Sequence, residues 1–237
     1  MKIIIPTKGR ADVIGKKSLQ LFPDATLCIG DDETDAYAKV SDRLLVHPAN
    51  VVGMGPLRQW ILDHVPDKCL VMADDDITRV YSQVGFHKRR ITDPAEVAAI
   101  IERVAILAGD MGCSVFGFAQ GAKSMVHFNC NCRPFHLNLW VGTVLGVIGR
   151  RLRFDTSVVL HDDIDFCLQA LLDDRIVLCD CRYYFAHAYL KLGGGLAALR
   201  SGERKEREIA YLRRKWGRCL DVVQAKGTTR LVVRVVR

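Results

Sequence analysis

The 237-residue chain lacks any hydrophobic run long enough to cross a bilayer. A spanning helix needs about 20 apolar residues, and the longest apolar stretch, Trp140 to Ile148, is interrupted by Gly142, Thr143 and Gly146. The N-terminus, MKIIIPTKGR, reaches only Ile3 to Ile5 before Pro6 and Thr7 break the run, too short for the apolar segment of a signal peptide. The expectation is a soluble, cytoplasmic protein. Internal repeats, collagen-like periodicity and disorder-type composition are also missing, so the length points to one α/β domain with a tail.

Cysteine is not scarce, but the C-x-x-C spacing of zinc ribbons is absent. Nine cysteines without an export signal fit a reducing compartment in which thiols stay free. Two close pairs, Cys130/Cys132 and Cys179/Cys181, leave a four-thiolate zinc site as the alternative to buried thiols.

Excess charge is nearly absent from the first 199 residues, which sum to −1. Of the formal +7, residues 200–237 supply a surplus of eight, with twelve Lys or Arg against four Asp or Glu. A basic surplus confined to one end suits a polyanionic partner.

Before that tail, short β-branched runs alternate with helical patterns, the signature of strands joined by crossover helices. Strands are expected at Ile3–Ile5, Thr26–Ile29, Leu44–Val46, Cys69–Ala73, Val115–Ala119, Val141–Ile148 and Ile176–Leu178. Helices are expected at Lys16–Leu21, Leu57–His64, Asp163–Leu172 and from Pro94, with Asp93 as its cap and Val97, Ile100, Ile101, Val104 and Leu107 as its apolar stripe. Gly193 to Gly195 marks the internal boundary. Beyond it, Glu203–Trp216 reads as a charged helix whose Glu203, Glu206 and Glu208 provide partial i,i+4 pairing, and Leu231–Arg237 alternates too weakly to assign a strand.

Ligands of parallel α/β sheets gather at the carboxyl ends of the strands. Three of those ends carry polar clusters: Thr7, Lys8 and Arg10; Asp31 to Glu33; and Asp74-Asp75-Asp76. Three successive carboxylates raise one another's pKa unless a cation is present, and an oxygen-rich set suits Mg²⁺ or Mn²⁺. Such an ion can bridge a diphosphate and stabilise it as it leaves.

The string Ile3-Ile4-Ile5-Pro6-Thr7-Lys8-Gly9-Arg10, the Gly53-x-Gly55 turn leading to Arg58, the Asp74-Asp75-Asp76 run and His161-Asp162-Asp163-Ile164-Asp165-Phe166 together resemble GT-A glycosyltransferases of the family-2 type, over Met1 to about Tyr189. The resemblance implies an α/β, GT-A (Rossmann-like) fold: a mixed, mainly parallel sheet with flanking helices over residues 1–192, followed by a basic C-terminal helical extension at 193–237 as an acceptor-binding element. It implies a nucleotide-sugar donor, a UDP-sugar, with Mn²⁺ or Mg²⁺. Carried over by position, Pro6, Thr7 and Arg10 lie at the base, Asp31 or Asp32 at the base or ribose, and Arg58 near the base or diphosphate. Asp74 approaches the ribose and Asp76 takes the metal, with Asp75 leaving that register open. His187 resembles the histidine that completes metal binding. Asp163 falls at the general base, with Asp162 binding the acceptor or orienting Asp163; Asp162 replaces the family's usual Glu, so which carboxylate acts, and whether the enzyme inverts, stay open.

The opening Ile-Pro-Thr-Lys-Gly-Arg-Ala and the compact length resemble the phage TET-associated glycosyltransferases, which implies sugar addition to hydroxymethylated pyrimidines in DNA. The tail gives this acceptor a physical motive: Arg213, Arg214, Lys215, Arg218, Lys226 and Arg230 can neutralise phosphates, and Lys88, Arg89 and Arg90 can extend the surface. Two alternatives stand beside it. One is a glycosyltransferase acting on cell-surface glycan or lipid precursors. The other is a nucleotidyltransferase or non-catalytic nucleic-acid-binding protein on an α/β scaffold.

Overall fold

The computed structural model describes residues 1–84, 87–119, 133–188, 193–195, 199–225 and 228–235. In chain order the elements are β1 (Lys2–Pro6), α1 (Ala11–Ile14), α2 (Ser18–Leu21), β2 (Thr26–Gly30), α3 (Thr34–Tyr37), β3 (Leu44–His47), α4 (Met54–His64), β4 (Cys69–Ala73), β5 (Ile77–Val84), β6 (His87–Ile91), α5 (Pro94–Asp110), β7 (Val115–Ala119), β8 (Phe135–His136), β9 (Val144–Ile148), α6 (Asp162–Asp173), β10 (Leu178–His187), α7 (Gly202–Trp216), β11 (Leu220–Ala225) and β12 (Thr228–Val233).

The central sheet runs β3-β2-β1-β4-β9-β7-β10-β5-β6, with β8 paired to β10. Strands β1 to β4 are parallel to one another and β7 is parallel to β10, while β9 inserts antiparallel between β4 and β7 and β5 runs antiparallel to β10. Because β-strand side chains alternate in direction, adjacent residues enter different cores. Ile5, Val71 and Ala73 pack with α5 through Val97, Ile101 and Val104. Ile4, Leu70 and Met72 pack on the other face with Phe166, Cys167 and Leu171 of α6 and Ile61 of α4. This two-sided covering explains why β4 is almost continuously apolar.

Several local expectations carry through. Asp93 caps α5 by accepting from the Ala95 amide at 2.9 Å, with Pro94 in the first turn. The Val141–Ile148 strand begins later, at Val144, and α4 begins earlier, at Met54. Helix α6 starts at Asp162 with His161 as N-cap and no side-chain cap bond, so the two carboxylates sit inside the first turn. The β5–β6 hairpin after the aspartate triplet and the β11–β12 hairpin in the tail were not anticipated. The tail packs on α6 and the turn before it: Leu212 and Leu220 share a buried cluster with Val158, Ile164 and Leu168. No helix among the described residues is long and apolar enough to cross a membrane.

Candidate active site

The carboxyl ends of β1, β2 and β4 converge as expected for a parallel sheet. Thr7, just past β1, is held by its amide on the Cys28 carbonyl at 3.0 Å. Its hydroxyl donates to Asp75 Oδ2 at 2.7 Å, which leaves the 2.9 Å contact with Tyr37 to be donated by the tyrosine. The Tyr37 oxygen in turn accepts the Arg10 amide at 3.0 Å. Arg10 also forms an ion pair with Asp75 and donates from Nε to the Gly193 carbonyl at 2.9 Å. Pro6 is buried and pairs with Cys28. Asp31 and Asp32 lie exposed at the rim: Asp31 accepts from the Ala49 amide at 3.0 Å, and Asp32 lies 3.8 Å from the Lys8 ammonium.

The Gly193–Gly195 segment docks on this loop, with the Gly195 amide donating to the Lys8 carbonyl at 2.8 Å. A Cβ at Gly194 would stand 2.8 Å from the Lys8 and Gly9 carbonyl oxygens, at a φ of +76°. Only glycine meets both demands.

Alternation along the triplet separates its members. Asp75 turns toward Thr7 and Arg10, whereas Asp74 and Asp76 join His187 in a group whose potential ligand atoms lie within 4.8 Å of one another. Asp76 Oδ1 is buried, has no hydrogen-bond partner among the described residues and lies 3.8 Å from His187 Nδ1. Burial pushes the Asp74 carboxyl well above its ordinary value; Arg58 opposes that shift and Asp76 and Asp75 add to it. Orphaned carboxylate oxygen, crowded charge and an imidazole nitrogen are what a divalent cation would relieve, so Asp74, Asp76 and His187 can hold one. Ser18, which sequence reasoning missed, staples the loop by donating to the Asp74 carbonyl at 2.9 Å and accepting the Ile77 amide at 3.1 Å.

Arg58, expected near the base or diphosphate, is engaged within the protein. It is buried at 3% exposure and donates to Asp162 Oδ2 at 2.8 Å and to the Gly142 carbonyl at 3.3 Å, with Asp74 Oδ1 at 3.6 Å. It thus ties the metal-side carboxylate to the α6 carboxylate. Asp162 is buried against Arg58, but Asp163 is only half-buried and accepts at Oδ1 from the Ile164 amide at 2.8 Å. A Cβ at position 142 would lie 2.3 Å from Asp163 Oδ2, so Gly142 leaves room for this carboxylate. Burial raises both α6 carboxyls, and the Arg58 charge acts against the rise.

The basic residues divide. Lys88, Arg89 and Arg90 are exposed on β6; Lys88 Nζ lies 3.8 Å above the Tyr81 ring and Arg89 pairs with Glu96. Arg213, Arg214 and Arg218 are exposed at the end of α7 and just after it. Lys215 is exposed too, but its ammonium is paired within the protein, 2.7 Å from both Asp155 Oδ2 and Asp165 Oδ1. Glu208 is no surface pairing residue either: it is 6% exposed and bound to the backbone at 159–161. Cys179 and Cys181 are buried with their sulfurs 3.8 Å apart, while Cys130, Cys132 and Lys226 lie outside the described residues.

No curated protein matches the sequence. Among solved structures, the fold is similar to glucosyl-3-phosphoglycerate synthase from Mycobacterium tuberculosis in complex with Mn²⁺, UDP-glucose and glycerol 3-phosphate, at a TM-score of 0.54 and 16% identity, covering 99% of this chain and 87% of that one. The same synthase with Mn²⁺, UDP-glucose and phosphoglyceric acid gives 0.53 at 14% identity, covering 99% and 87%. S. aureus TarS 1-349 gives 0.47 at 13% identity; it covers 79% of this chain, which spans 60% of the TarS chain. Residues 1–188 match the family described as TET-Associated Glycosyltransferase. With a GT-A fold and that match over most of its length, the chain belongs to the TET-associated glycosyltransferase family and is a glycosyltransferase.

Proposed function

We propose that the enzyme moves a sugar from a UDP-sugar, bound with Mn²⁺ or Mg²⁺, to the hydroxymethyl oxygen of a modified pyrimidine in DNA. The observation that carries this reading is the grouping of Asp74, Asp76 and His187, joined by Arg58 to Asp162, the residue next to Asp163. Asp74, Asp76 and His187 would hold the ion, which would offset the negative charge of the departing diphosphate. Thr7, Arg10 and Asp75 hold the loop against which the base lies, and Asp31 and Asp32 stand at the rim toward the ribose. Asp163 accepts the proton of the acceptor hydroxyl as that oxygen forms its bond to the anomeric carbon. The bond from that carbon to the diphosphate oxygen breaks, and UDP leaves with the electron pair. Arg58 opposes the rise that burial imposes on the Asp162 carboxyl and holds it in place, which orients the first turn of α6.

The family description and the exposed Arg213, Arg214 and Arg218 support a DNA acceptor. Lys88, Arg89 and Arg90, on the hairpin that leaves the metal loop, extend the same role. The reading places the reaction in the cytoplasm, of the host cell if the enzyme serves a phage. Its test is transfer from UDP-glucose and other UDP-hexoses, with Mn²⁺, to duplexes containing 5-hydroxymethylcytosine, 5-hydroxymethyluracil or cytosine. A mass gain of one hexose on the hydroxymethylated strands alone supports the reading. Transfer to lipid or glycan acceptors with none to any DNA would overturn the acceptor assignment.

A further inference from the structure

The family match ends at residue 188, yet the backbone leading into the catalytic carboxylates is held from beyond it. Glu208, on α7, accepts at Oε2 from the amides of Val159 and Leu160 at 2.7 and 3.1 Å, and at Oε1 from those of Leu160 and His161 at 3.0 and 2.8 Å. Its Oε1 also lies 2.8 Å from His161 Nδ1. A carboxylate only accepts, so the His161 ring donates here and its Nδ1 carries the proton. Three consecutive backbone donors and one ring donor thus converge on one buried side chain.

The clamped turn leads straight into α6. Asp162 and Asp163 follow at once, and the His161 carbonyl accepts the Asp165 amide at 3.1 Å. On its other side the turn is pressed against α4: the Met54 amide donates to the Val159 carbonyl at 3.2 Å, and a Cβ at Gly53 would meet the Val159 side chain at 2.8 Å. Helix α7 adds further anchors, with Trp216 Nε1 donating to Asp165 Oδ1 at 2.8 Å and the Tyr211 hydroxyl to Asp155 Oδ2 at 2.6 Å. Leu212, on the same helix, is wholly buried against Val158, Ile164 and Leu168.

We propose that Glu208 is a positioning residue for catalysis, fixing the turn at 159–161 and through it the direction of Asp163. The inference rests on the reading of Asp163 as the base. It makes the C-terminal extension part of the catalytic apparatus as well as a candidate acceptor surface. Both Glu208 oxygens accept from N–H donors, so an isosteric amide would set its own N–H₂ against a backbone N–H and leave both unsatisfied.

The test compares Glu208→Gln, Glu208→Asp and, as a control on the exposed face of the same helix, Glu206→Gln. Each is assayed for UDP binding with Mn²⁺, for steady-state UDP release from UDP-glucose and for amide hydrogen exchange at residues 159–161. The expected result for Glu208→Gln is unchanged UDP affinity and KM, faster exchange at those amides, and a kcat lower by about 100-fold, the scale of a small misplacement of a reacting group. Glu206→Gln matches the wild type. If Glu208→Gln does not fold, Glu208→Asp, which keeps the charge but shortens the reach, should show the same pattern in smaller measure. An unchanged kcat, or a loss that follows UDP affinity, overturns the proposal. Should the wild type bind no UDP with Mn²⁺, the donor reading has failed and exchange decides alone: unchanged protection at 159–161 would still overturn the role of Glu208.

Discussion

Arg58 and Asp162 are separated by 104 positions in sequence, yet they meet at 2.8 Å with both side chains almost wholly out of solvent. Removing one member of a buried pair leaves an uncompensated charge, which costs about 3–5 kcal/mol. Arg58→Ala should therefore lower stability by about that amount in urea denaturation of the metal-free protein. Arg58→Lys should recover part of it, because an ammonium lacks the fork that reaches Asp162, Asp74 and the Gly142 carbonyl together. A loss below about 0.5 kcal/mol for Arg58→Ala, typical of a surface change, would contradict the burial of this pair.

Neighbouring aspartates of the triplet should behave differently. Asp76→Asn removes a carboxylate charge from the group formed with Asp74 and His187, so the rise in Tm produced by Mn²⁺ should disappear. Asp75 faces Thr7 and Arg10 instead. Asp75→Asn should keep the Mn²⁺ shift while weakening UDP binding. Equal Mn²⁺ shifts in Asp76→Asn and wild type would rule out this register.

Much of the fold was legible because burial on both faces writes β1, β2, β4 and β7 as β-branched and apolar runs. Strand β6 escaped because its first four residues, His87 to Arg90, are exposed and only Ile91 is buried. Strand β10 runs from Leu178 to His187, so the expected Ile176–Leu178 strand meets only its first residue; Asp180 interrupts the apolar pattern and is tolerated inside by its ion pair with Arg182 at 2.7 Å. At the site, the aspartate triplet was visible from its charge crowding at the end of an apolar strand, whereas Asp163 and His187 were singled out only through the family resemblance. Tyr37, Ser18 and Glu208 could not be found, since a lone tyrosine, serine or helix glutamate carries no local sign that it will meet a backbone group far away in sequence. The direction of Lys215 was equally hidden: its neighbours Arg213 and Arg214 point to solvent, and only tertiary packing brings Asp155 and Asp165 beneath it.

That division yields a distinction among the basic residues. Arg213→Ala and Arg214→Ala should each reduce the slope of log K for DNA against log salt by about 0.9, one phosphate contact apiece. Lys215→Ala should leave the slope unchanged and lower Tm instead, because its charge is matched within the protein. Filter binding across a salt series, with melting curves alongside, separates the two. Slopes unaffected by either arginine would remove α7 from the DNA surface.

Asp155 predicts a pH dependence. Burial alone would raise its carboxyl, but the hydrogen bonds from Lys215 and Tyr211 outweigh that and lower it from 3.8 to about 2. A depressed carboxyl contributes stability that is fully present above its unfolded value and is lost as pH falls through the folded one. The window is therefore 3.8 down to about 2. Asp155→Asn should melt below wild type at neutral pH, and the gap should narrow as pH drops below 3.8. A gap that is constant across that window would show that the charge on Asp155 contributes nothing.

The central claim is that Asp163 takes the acceptor proton while Asp162 is held by Arg58. It is tested most directly by comparing Asp163→Asn with wild type in single-turnover hexose transfer to hydroxymethylated DNA, with UDP binding in Mn²⁺ measured on the same preparations. The account predicts unchanged UDP affinity and transfer slowed by about 10²–10⁴-fold, the contribution of a positioned base. Transfer by Asp163→Asn at the wild-type rate would contradict it.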